Sequence, residues 1–316
     1  MKTIPLLLGA LTFSGAASLT HATVLSSGLV GYYTFDSDTA ADTSSAAGGS
    51  ASNNAGTWTG AASYKAGAFG RAAEVGDGAG SNFITLTGSD YNFGSTGSFT
   101  VIYWINLADA VTSDPVVVAG GGKDWSLTGS SQGWVSALGA GDDVKANIGD
   151  GTNRGDTALV DLDHDAYWVG QGQPGEHWNF VALTLDRNSQ TLTNYVADDW
   201  VTVTDTTWSL GVLGQDFGPD GSAPVSDLDV SDVGDITNGN LDITVGQDGD
   251  FAGYSLPLSG IDDLSVWNRA LTQQELWEIY ANGRNGNALS VVLVPEPSSI
   301  ALLGLGAFAF ILRRKK

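Results

Sequence analysis

The chain has 316 residues, no cysteine, and 13 basic against 35 acidic residues, a formal net charge of -22. That balance excludes nucleic acid as a partner, because phosphate binding needs a basic surface to release counterions, and the lack of cysteine excludes disulfides and thiolate metal sites. With 42% hydrophobic and 15% charged residues, 43 Gly and 10 Trp, the composition suits a packed core with many turns, and the length fits one large β-sandwich once both ends are set aside.

Residues 1–22 read as a secretory signal peptide: Lys2 supplies the positive start, residues 4–13 an apolar run, and Thr20-His21-Ala22 a small-x-small cleavage site, with Ala17 marking a competing one. From Gly28 onward, short apolar runs alternate with Gly, Asn, Asp and Ser clusters, the pattern of an all-β sandwich. Strands are expected at 29–35, 83–86, 99–107, 116–119, 134–138, 178–186, 191–196, 241–245 and 261–267. In the run at 99–107, a period of two places Phe99, Val101, Tyr103, Ile105 and Leu107 on one face and Thr100, Ile102, Trp104 and Asn106 on the other. Both faces are largely apolar, so this strand is expected to be central and covered on both sides.

Segments 37–57, 149–175 and 211–240 read as long loops, the last two rich in Asp. One helix is expected at 271–281, with Thr272 and Glu275 forming a capping box, Leu271, Leu276, Ile279 and Tyr280 an apolar stripe, and Gly283 the stop. At the C-terminal end Pro295-Glu296-Pro297 precedes an apolar run at 300–312 and then Arg313-Arg314-Lys315-Lys316. The run is short of the roughly 20 residues that span a bilayer unaided, so it reads as a weak transmembrane helix with its basic end cytoplasmic. The two prolines keep the preceding segment extended.

That order at the very end, Pro-Glu-Pro, apolar helix, basic cluster, resembles the PEP-CTERM sorting signal. The resemblance implies recognition by an exosortase, cleavage near Pro295-Glu296-Pro297, and a passing membrane-anchored state before arrival at the cell surface or extracellular matrix. The domain division is then signal peptide at 1–22, sandwich at 23–290 and sorting tail at 291–316.

The middle of the chain resembles the LamG-like jelly-roll, of the concanavalin A-like superfamily. Gly28-Leu29-Val30-Gly31-Tyr32-Tyr33-Thr34-Phe35-Asp36 is similar to its opening strand, Phe69-Gly70-Arg71-Ala72 followed by Phe83-Ile84-Thr85-Leu86 to its next signature, and Gly260-Ile261-Asp262-Asp263-Leu264-Ser265-Val266-Trp267 to its closing motif. The resemblance implies a two-sheet antiparallel sandwich and a class of binding domains. It also implies a structural calcium ion shared by Asp36 and Asp262, with Asp263 a weaker third because neighbours on a strand face opposite ways; backbone carbonyls and water would complete the shell.

Asp161-Leu162-Asp163-His164-Asp165 alternates carboxylates as calcium loops do, yet Ala166 and Gly172 stand where an EF-hand needs Gly and Glu. Some relatives on this fold hydrolyse β-glucans with two glutamates on one strand face; here Glu74, Glu176, Glu275, Glu278 and Glu296 form no such pair, and His164 and His177 sit in no nucleophile motif. Sugars stack on exposed indoles, so Trp125, Trp134, Trp168, Trp200 and Trp208 form the pool for a glycan platform, while Trp104, Trp178 and Trp267 are expected in the core. The expectation is an exported, non-catalytic domain that binds a polysaccharide or another surface ligand. Two alternatives stay open: a structural matrix protein without a small ligand, and a divergent glycoside hydrolase.

Overall fold

The structure, a computed structural model, describes residues 25–50, 54–107, 114–121, 132–139, 144–157, 178–197, 225–237, 242–249 and 254–293. The strands among them are β1 (Leu29–Tyr33), β2 (Gly56–Thr59), β3 (Tyr64–Gly67), β4 (Gly70–Val75), β5 (Phe83–Leu86), β6 (Phe99–Leu107), β7 (Val116–Gly120) and β8 (Gln132–Leu138). They continue with β9 (Val144–Asp150), β10 (Arg154–Asp156), β11 (Asn179–Asp186), β12 (Thr191–Ala197), β13 (Val225–Asp229), β14 (Ile243–Val245) and β15 (Ser259–Trp267). Two helices follow, α1 (Gln273–Arg284) and α2 (Leu289–Leu293).

The strands form two antiparallel sheets. One runs β13-β12-β11-β6-β15-β4-β3, with β1 also paired to β15; the other runs β10-β9-β8-β7-β14-β5-β2. The period of two along β6 sorts its side chains as the sequence implies. Phe99, Val101, Tyr103, Ile105 and Leu107 enter the core between the sheets, whereas Ile102 and Trp104 join a second core on the outer face of the first sheet. There Leu276, Ile279 and Tyr280 of α1 and Leu289 and Leu293 of α2 cover them, which is why both faces of β6 are apolar.

The capping box on α1 is present as expected, with Glu275 N–H donating to the Thr272 hydroxyl and the Glu275 carboxylate accepting from Thr272 N–H. The helix does not stop at Gly283. It runs on to Arg284, with Asn285 as its C-cap and Gly286 beyond it at φ 78°. Gly283 serves packing instead: a Cβ there would collide with the Trp104 ring.

Of the expected loop at 37–57, residues 37–50 form a strap along the opening strand, and Gly56 and Thr57 already belong to β2. Thr43 N–H donates to Tyr32 O (2.8 Å) and Ser50 N–H to Leu29 O (2.7 Å), while the Asp42 carboxylate accepts from the amides of Tyr32, Ser44 and Asn54. Strands β2, β3, β4, β9, β10 and β13 were not among those expected from the sequence. They are short or interrupted by Gly, Lys, Asn and Asp, and their pairing partners supply the order that their own apolar pattern lacks. Arg154-Gly155-Asp156 is β10, an edge strand closed by an Arg154–Asp156 ion pair.

Candidate functional site

The acidic residues singled out at the two ends of the domain meet around a bulge in β15. Opposite β6, Asp262 pairs with Trp104 and Ser265 with Ile102, so β15 carries one extra residue. Asp263 takes up the irregularity at φ 49°, a left-handed conformation that Asp tolerates better than most residues. Ile261 and Leu264 on either side both enter the inter-sheet core. The bulge therefore breaks strict alternation between them, and the expectation that Asp262 and Asp263 face opposite ways does not hold.

Each carboxylate is held by main-chain amides. Asp262 Oδ2 accepts from Phe69 N–H (2.9 Å) and Oδ1 from Asp263 N–H (2.7 Å). Asp263 Oδ1 accepts from the Tyr32 hydroxyl (2.6 Å) and Oδ2 from Leu289 N–H (2.6 Å). Asp36, exposed just past β1, accepts from Arg71 N–H at Oδ1 (3.0 Å). The β3–β4 hairpin thus rests on two carboxylates, and glycines permit the approach: a Cβ at Gly67 would strike Asp262 Oδ2, and one at Gly70 would strike Asp36 Oδ1. Gly70 also sits at φ 96°, where side chains are strained.

Asp262 is fully buried and Asp263 nearly so. Burial first, then the neighbouring Asp263 charge, pushes the Asp262 carboxyl up to about 8, against the pull of its two amide donors. Burial likewise raises Asp263 to about 6, opposed by the Leu289 amide and the Tyr32 hydroxyl. Among the described residues no lysine or arginine forms an ion pair with Asp36, Asp262 or Asp263. A buried pair of acids without a cationic partner suits a hard cation chemically. Yet among the described residues no group of three or more acids or histidines is arranged to hold a metal by itself, so carbonyl oxygens and water would have to supply most of a calcium shell.

The indole pool divides differently. Trp134 is 2% exposed and lies in the core between the sheets, tilted against Phe99 at 4.9 Å between ring centroids. It has no free face for a sugar, which corrects its place among the platform residues; β8 turns it inward, and Gly120 opposite leaves room for its ring. Trp125, Trp168, Trp200 and Trp208 lie outside the described residues, as do Pro295, Glu296, Pro297, Arg313 and Arg314 and the expected transmembrane run. Trp104, Trp178 and Trp267 are core residues as expected.

One aromatic pair was missed. Trp58 on β2 and Tyr64 on β3 are half-buried, edge to face at 5.6 Å, with the indole N–H donating to the tyrosine hydroxyl (2.9 Å). Only the meeting of the two sheet edges brings them together, although Trp58 itself was visible as an unassigned indole between polar residues.

Residues 293–315 match the PEP-CTERM protein-sorting motif. The motif implies export and a membrane-anchored state before exosortase processing. No curated protein matches the chain. Among solved structures, the binding domain of Paraclostridial Mosquitocidal Protein 1 is similar at TM-score 0.55 and 15% identity, over 80% of this chain and 52% of that one. The binding domain of Botulinum neurotoxin DC in complex with SialylT follows at 0.54 and 13%, over 81% and 51%. The Botulinum neurotoxin serotype D ligand-binding domain in complex with N-acetylneuraminic acid is similar at 0.53 and 10%, over 84% and 52%. The chain spans about half the length of each, and at these identities the likeness is one of fold.

Proposed function

We propose that this chain is an exported, non-catalytic, LamG-like jelly-roll domain that binds glycan or another surface ligand and is delivered by exosortase processing to the cell surface or extracellular matrix. The observation that carries the reading is the sorting motif at 293–315 directly following a two-sheet sandwich. The fold likeness to toxin binding domains, two of them in complex with SialylT or N-acetylneuraminic acid, supports a binding role. Trp125, Trp168, Trp200 and Trp208 form the remaining pool for sugar stacking, and Trp58 joins it from the sheet edge. A glycan array that includes sialylated and bacterial polysaccharides tests this. Binding that falls when these indoles are changed to alanine supports it; an array blank with and without calcium overturns it in favour of a purely structural matrix role.

A structural calcium ion is part of the proposal. Asp36 and Asp262 would hold it, and it would replace the proton that burial favours on the Asp262 carboxyl. Binding to the folded state alone raises stability by RT ln(1 + [L]/Kd), about 2.7 kcal/mol at a hundredfold excess over Kd. Millimolar calcium is therefore expected to raise the melting midpoint and a chelator to reverse the rise. An Asp262→Asn variant that responds to calcium as the parent does would remove this site.

A further inference from the structure

Where β4 stops and β15 starts, Ser259 pairs with Val75, and residues 76–82 cross from β4 in the first sheet to β5 in the second. Main-chain bonds hold this junction. Gly76 N–H donates to Asn82 O (2.7 Å), Gly78 N–H to Leu256 O (3.1 Å), and Leu256 N–H to Gly246 O (3.0 Å), just past β14. Inside the loop the Asp77 carboxylate accepts from Ala79 N–H (2.9 Å), Ser81 N–H (3.2 Å) and the Ser81 hydroxyl, so both its oxygens are already engaged.

Two amide side chains belong to the same junction. The β5–β14 register, Ile84 with Val245, puts Asn82 and Gln247 on matching continuations of the two strands. Gln247 is 1% exposed, and its amide reaches into the loop: a Cβ at Gly80 would lie 2.7 Å from Nε2. Among the described residues, neither amide atom of Gln247 nor Oδ1 of Asn82 has a hydrogen-bond partner, and all three are closed to solvent. Asp248, next in the chain, is a fully buried carboxylate. Buried amide oxygens without donors are rare, because they forgo the hydrogen bonds that water would give them.

We propose that Asn82 Oδ1, Gln247 Oε1 and the Asp248 carboxylate bind a calcium ion at this junction, with backbone carbonyls completing the shell. A calcium–oxygen contact of roughly 2.4 Å is shorter than the about 2.8 Å of a hydrogen bond from water, so a bare ion fits where a water does not. Calcium accepts neutral amide and carbonyl oxygens in irregular sets of about six to eight, whereas magnesium keeps several waters and a strict octahedron, which a dry junction does not supply. One charged ligand among three places the affinity in the range of extracellular modules, about 0.1 to 1 mM. Asp36 and Asp262 meet the hairpin at the Gly70 end of β4, and this site lies at the Val75 end, so the two ions are independent.

The test is peptide-resolved hydrogen exchange of the full chain, stripped with chelator and then given calcium chloride or magnesium chloride at about 5 mM, above the expected Kd. Calcium is expected to slow exchange at residues 76–82 and 244–248 by a factor of 1 + [L]/Kd, about sixfold or more, and magnesium to leave it unchanged. Gln247→Glu, which turns a neutral ligand into a charged one, is expected to tighten calcium at least about tenfold. Gln247→Met keeps the volume, removes the oxygen and is expected to abolish the slowing; should it fail to fold, the parent and Gln247→Glu decide alone. Calcium without effect on these residues, magnesium with an equal effect, or a Gln247→Glu chain with the parent's affinity overturns the site. Slowing confined to residues 67–71 overturns this ion and leaves the one at Asp36 and Asp262 standing.

Discussion

Single residues here owe their roles to neighbours far away in the chain. Trp134 is an inter-sheet plug: it fills space over Gly120 and against Phe99. Trp134→Ala is expected to cost about 3 to 5 kcal/mol, read from denaturant unfolding, because truncating a buried aromatic loses transfer energy and leaves a cavity; loss of glycan binding with unchanged stability would contradict that role. Asp150 works through hydrogen bonds. Partial burial raises its carboxyl, but the Gly234, Asn153 and Thr152 amides and the Asn153 side chain outweigh this and hold it at about 2. A carboxyl depressed in the folded state stabilises fully above its unfolded value, near 3.9, and loses that contribution as pH falls through its folded value. The stability difference between the parent and Asp150→Asn is therefore expected to be constant from pH 5 to 7 and to shrink between about pH 4 and 2, as equilibrium unfolding at each pH would reveal.

Elements follow local rules at their ends and tertiary rules along their length. The start of α1 is set by Thr272 and Glu275, three residues apart, with Arg269 bonding the same glutamate (2.8 Å). Its middle is set by what it lies on. Replacing a helical glycine with alanine ordinarily gains up to about 1 kcal/mol, but Gly283 rests against Trp104, a ring already enclosed by Phe69, Phe180 and Tyr280. Gly283→Ala is expected to destabilise by about 1 to 3 kcal/mol, and a raised melting midpoint would refute the contact. The bulge in β15 is likewise tertiary, since an extra residue exists only relative to the pairing with β6.

At the scale of the whole molecule, helix α2 is fastened to the sandwich by the bulge and the opening strand. Compared with truncation after Leu293, truncation after Ala288 removes two buried leucines and strands Asp263 Oδ2, and is expected to lower the melting midpoint by several degrees. Equal midpoints for the two would mean that α2 adds nothing to the fold. Strands β1, β5, β6, β7, β8, β11, β12, β14 and β15, the capping box and the sorting tail were legible in the sequence, because their information lies within a few neighbouring residues. Tertiary structure alone decided that Trp134 is core, why Gly283 is glycine, and how two adjacent aspartates come to hold a hairpin and a helix. Those contacts join residues up to 258 positions apart, such as Tyr32 and Ser290, and depend on strand register and burial that no local pattern encodes.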